Sequence, residues 1–139
     1  MICQCQKVMM KTMNEQWIKW EPIIGLEGKY DIEKLCDDLS GFEIILIHSQ
    51  DKSRKIRLTW RNSVHSCTRT DKIFAYEILA SIDKKYGIEF HKNWSFFIVE
   101  GSDYLQRLSE ESSGLSDQFY GVMHFALITS DSIVDVIPT

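Results

Sequence analysis

The chain has 139 residues, 44% of them apolar and 26% charged, with a formal net charge of −4. That length suits one domain with its own core, and the mixture is globular rather than disordered. The longest purely apolar run, Ile44 to Ile47, is far too short to cross a bilayer. No basic cluster exceeds the Lys52 to Arg57 stretch, which argues against nucleic acid as a partner.

The opening "MICQCQKVMMKTMNEQW" has no apolar segment of secretory length, so the cytosol is the expected compartment. Residues 1–12 read as a disordered extension or a misassigned start, and 13–139 as a single domain. Cys3 and Cys5 would need two further ligands to hold zinc, and no second close cysteine pair exists. Cys36 and Cys67 are expected as reduced structural thiols. Without the first twelve residues the balance is 14 basic against 20 acidic groups, or −6.

Trp17 to Ile23 predicts a short aromatic strand ended by Pro22. "KYDIEKLCDDLSG" satisfies both helical and alternating spacing; the turn at Ser40-Gly41 into β-rich "FEIILIHS" favours a strand. "KIRLTWR" alternates cleanly, and "SVHSCTR" follows as another strand. "TDKIFAYEILASIDKKYG" predicts the main helix, capped by Thr70 or Asp71. Its inward stripe would be Phe74, Ala75, Ile78, Leu79, Ile82 and Tyr86, and Gly87 would end it. "WSFFIV" is the next strand. A short helix then starts at Ser102 as N-cap and stops before Gly114. "GVMHFALIT" and "DSIVDVI" close the chain as strands. The order predicts an α+β fold: a twisted, mostly antiparallel sheet of six or seven strands with two helices packed on one face.

The chemistry-bearing residues are sparse. His65 and Cys67 fall on one face of a strand, and His124 lies in an apolar strand. Together they could make a small metal site or an activated thiol, although strand alternation also generates such pairs by chance. No glycine-rich phosphate loop and no GxSxG turn occurs. The acids Asp31, Glu33, Asp37 and Asp38 form one group, and Glu100, Asp103, Glu110 and Glu111 another. They read as solvated faces or as an acidic surface that covers a basic partner site. Trp17 and Trp20 are the candidates for an exposed aromatic anchor.

The stretches "WIKWEPIIGLEGKYDIEKLCDDLSGFEIIL", "TRTDK", "YGIEFHKNWSFFIVEGSDYLQRLSEESSG" and "HFALITSDSIVDVI" resemble small uncharacterised cytosolic proteins of Gram-positive bacteria. Some of these are of the kind encoded beside polymorphic toxins as immunity proteins. Around "CTRTDK", Cys67 and Lys72 stand where that pattern has an aromatic residue and a glutamate. The resemblance implies a non-enzymatic protein-binding domain that blocks a toxin domain; the acidic and aromatic residues Trp17, Trp20, Asp37, Asp38, Glu110 and Glu111 are the candidates for its partner-binding surface. No cofactor, metal, nucleic acid or membrane is expected, and the chain is expected as a monomer or weak dimer. The alternative is a small enzyme or metal protein using His65, Cys67 and His124, or a ligand-binding accessory domain.

Overall fold

The computed structural model describes residues 15–112 and 121–139. The expectations for residues 1–12 and for Gly114 lie outside these residues. Eight strands and two helices follow in the order β1 (Gln16–Lys19), β2 (Tyr30–Asp38), β3 (Gly41–His48), β4 (Lys55–Trp60), β5 (Val64–Asp71), α1 (Tyr76–Tyr86), β6 (Phe96–Glu100), α2 (Asp103–Glu111), β7 (Phe125–Ile128) and β8 (Ser132–Pro138). The α+β class is as expected. The strands divide between two antiparallel sheets: five in the order β1-β6-β7-β8-β5, and three in the order β2-β3-β4.

The small sheet is a meander, and the ambiguous residues 30–38 are its first strand. In β3, Phe42, Ile44, Leu46 and His48 are buried and alternate with half-buried neighbours. Period-two burial of this kind points one face at a core and leaves the other to solvent. Directly opposed residues share a face. In the large sheet one such row runs Phe96, Leu127, Val134, and the next runs Phe97, Ala126, Asp135, Thr68. Phe96 meets Tyr30 at 5.4 Å and Phe125 meets Trp60 at 6.1 Å, so the first face packs on the small sheet. Phe97 meets Trp17 at 5.9 Å and Phe90 at 5.3 Å, and Tyr86 stacks on Phe90 at 4.2 Å. The second face therefore carries the helices. One continuous cluster joins both sheets and α1.

Two helix expectations need correction. Helix α1 does not begin at a Thr70 or Asp71 cap. Both residues stay in β5, opposite Ile133 and Ser132, and Asp71 accepts the Ile73 N–H at 2.9 Å in a local turn. The helix starts at Tyr76 with no side-chain cap. Phe74 thus falls in the turn before the helix, and both it and Ile78 leave the expected inward stripe and are exposed. Gly87 ends the helix as expected, at φ +92°, with its N–H on the Asp83 carbonyl at 2.8 Å.

Candidate functional site

Trp17 is not an exposed anchor. It is buried against Phe97, and its indole donates to Glu15 Oε2 at 3.0 Å. Trp20 is half-buried against Phe125 at 4.7 Å. Edge strands of a packed sheet bury alternate side chains, and the aromatic pattern near the chain start reflects that packing. Asp37, Asp38, Glu110 and Glu111 are exposed. The first two end β2, while the other two end α2.

His65, Cys67 and His124 do not form a site. His65 is the extra residue of a bulge in β5, which breaks the alternation that linked it to Cys67. Cys67 sits opposite Val136, on the face towards the small sheet. Burial pushes its thiol up to about 11, so it is no activated nucleophile. His124 lies just ahead of β7, and its ring meets Tyr104 of α2 at 5.2 Å, on the helix side. Among the described residues, no three His, Cys, Asp or Glu side chains lie close enough to share a metal ion.

The tip between β2 and β3 is an ordered acidic turn. Asp38 accepts the Ser40 N–H at 2.8 Å and the Ser40 hydroxyl at 2.5 Å. Those bonds, the hydroxyl's first, hold its carboxyl below the usual carboxylate range. Gly41 follows at φ +132°, where a Cβ would stand 3.0 Å from the Trp60 carbonyl. Leu39, at the apex beside Asp37 and Asp38, is fully exposed. Behind the tip lies a depression of about 350 Å³ lined by Lys34, Cys36, Asp38, Phe42, Trp60 and Arg61. The Cys36 thiol donates to Asp38 Oδ2 at 3.4 Å, which raises the thiol's pKa and keeps it protonated.

A second arrangement was not legible in the sequence. Ser102, the N-cap of α2, lies 2.6 Å from His124 Nδ1, and His124 Nε2 lies 2.6 Å from Asp135 Oδ1. These are the residue types of an acyl-transfer triad. Here Ser102 Oγ also accepts the Leu105 N–H at 3.0 Å, and Ser102 and His124 are only 8% and 2% exposed. The serine oxygen therefore closes a helix cap and leaves little access for a substrate. Around the chain, the Tyr104 hydroxyl meets Ser66 Oγ at 2.6 Å, and Glu15 Oε1 accepts the Asp103 N–H at 3.0 Å. The chain fastens α2 to β7 and β8 through satisfied buried polar groups. Only Ser102 as a cap carried a sequence signal.

A third polar cluster joins the β1–β2 loop to the α1–β6 loop. Lys29 Nζ donates to the carbonyls of His91 at 2.6 Å and Trp94 at 3.3 Å. Burial lowers its pKa to about 8. His91 Nε2 meets Asp83 at 3.0 Å. Burial, and then the nearby Lys29 charge, lower the imidazole's pKa.

By architecture the described residues form an α+β domain of two packed antiparallel sheets with two helices on the larger one. No protein-family model matches it, and no curated protein or solved structure is significantly similar to it. No helix among the described residues is long and apolar enough to cross a membrane.

Proposed function

We propose that the protein is a cytoplasmic, non-enzymatic binding domain of the immunity type, which occludes a cognate toxin domain. One observation carries this reading: the acidic tip presents fully exposed Leu39 beside Asp37 and Asp38 on a turn fixed by its own hydrogen bonds. An exposed apolar side chain next to two carboxylates suits a partner with an apolar socket and basic groups beside it. A turn already held in shape loses little conformational entropy on docking. The commitment of Ser102 to the α2 cap supports binding over catalysis. Glu110 and Glu111 extend the acidic surface on a separate element.

Co-expression with the product of the adjacent gene tests the reading. The wild-type chain is expected to restore growth and to co-purify with that product. Leu39→Asp and the Asp37→Lys/Asp38→Lys pair are expected to lose rescue while keeping their far-ultraviolet circular dichroism. No rescue and no complex with the wild type would sink the proposal. Rescue undiminished in both variants would remove the tip from it.

A further inference from the structure

Helix α1 is packed on one side only. Ala75, Leu79, Ile82 and Tyr86 join the core. The opposite side runs through Glu77, Ala80 and Lys84, all exposed. In the turn before it, Ile73 and Phe74 are 80% and 86% exposed, Tyr76 opens the helix at 71%, and Ile88 lies just past its end at 71%. These four side chains put exposed apolar surface at both ends of the helix, with Glu77, Ala80 and Lys84 between them.

We propose that this face is where two copies of the chain meet, α1 against α1 and antiparallel, about a two-fold axis passing between Ala80 and Ser81. Two pairs of residues stand symmetrically about that midpoint, and Phe74 and Tyr76 add apolar surface near the start of the helix. Glu77 precedes Ala80 by as many positions as Lys84 follows Ser81, so the axis sets each glutamate against the lysine of the second copy. Ile73 and Ile88 flank the helix on either side, equally far from the midpoint in sequence. A two-fold interface must be self-complementary in this way, because each patch meets its own copy. The small residues at the centre let the axes approach to about 8–10 Å. The antiparallel arrangement also opposes the two helix dipoles. One helix face is small beside the ~800 Å² per partner of a standard interface, so the pair is a reversible dimer.

Sedimentation equilibrium of the full chain, from low micromolar to several hundred micromolar, tests this. The expected result is a reversible monomer–dimer equilibrium. Glu77→Lys alone and Lys84→Glu alone each set like charges together, and each is expected to raise the dissociation constant about tenfold. The double swap Glu77→Lys/Lys84→Glu restores opposite charges and is expected to return it to within about threefold of wild type. Both positions are exposed, and circular dichroism checks the fold of each variant. A single-chain mass at the highest concentration overturns the proposal. A dimer indifferent to the single swaps, or one the double swap fails to recover, overturns it equally.

Discussion

Lys29 carries a charge into a place that disfavours it. Its ammonium is held by two carbonyls, yet burial lowers the pKa from 10.5 to about 8. Between those two values the unfolded chain binds a proton that the folded chain has released. Stability must therefore rise with pH across that window and be lowest below it. Urea midpoints measured at steps through the window are expected to climb for the wild type. Lys29→Met, which keeps the packed stem, should flatten that climb; equal slopes in the two proteins would refute it. At the same scale, His124 was legible in the sequence only as a histidine in an apolar strand. Its partners Ser102 and Asp135 lie 22 and 11 positions away. Strand pairing supplies that proximity, and local sequence does not encode it.

Among the elements, α2 was legible at its start. Ser102 caps it and Asp103 sits in the first turn, where a negative charge faces the positive end of the dipole. Its other end is unfavourable: Glu110 and Glu111 close the helix with no basic residue in the last turn. Glu111→Lys is expected to raise stability by ~0.3–1 kcal/mol, read from the urea midpoint, with the gain shrinking at high salt. No gain at low salt would mean that the dipole is already compensated. Helix α1 shows the reverse case. Its centre and its Gly87 stop follow from spacing, but its start does not. Residues through Asp71 are held extended by pairing with β8, and that tertiary ladder overrides the local capping signal.

For the whole molecule, the decisive feature is one core shared by two sheets. Tyr30, Phe42, Ile44 and Leu46 of the small sheet join Phe96, Leu127 and Val134 of the large one in a single buried cluster. The apolar face of the three-stranded meander is buried by the large sheet, so parting the two would expose the core of both. Unfolding is therefore expected to be a single transition, with tryptophan fluorescence and far-ultraviolet circular dichroism coincident in urea. The probes sample both sheets, since Trp60 lies in the small sheet and Trp17 in the large one. Separate midpoints would show that the small sheet melts alone.

The sequence by itself determined the α+β class, the strands and helices in order, the alternation of β3 and β4, and the Ser102 cap. All of these follow from local periodicity and from side chains within a few positions of one another. Only the tertiary structure decided that the strands form two sheets, that Trp17 is core, that His65 and Cys67 part at a bulge, and that Leu39, Phe74 and Ile78 face outward. Each of those outcomes depends on which distant strand pairs with which. A hydrophobic residue has the same composition whether it fills a core or waits on a surface. The packing of remote segments makes the difference.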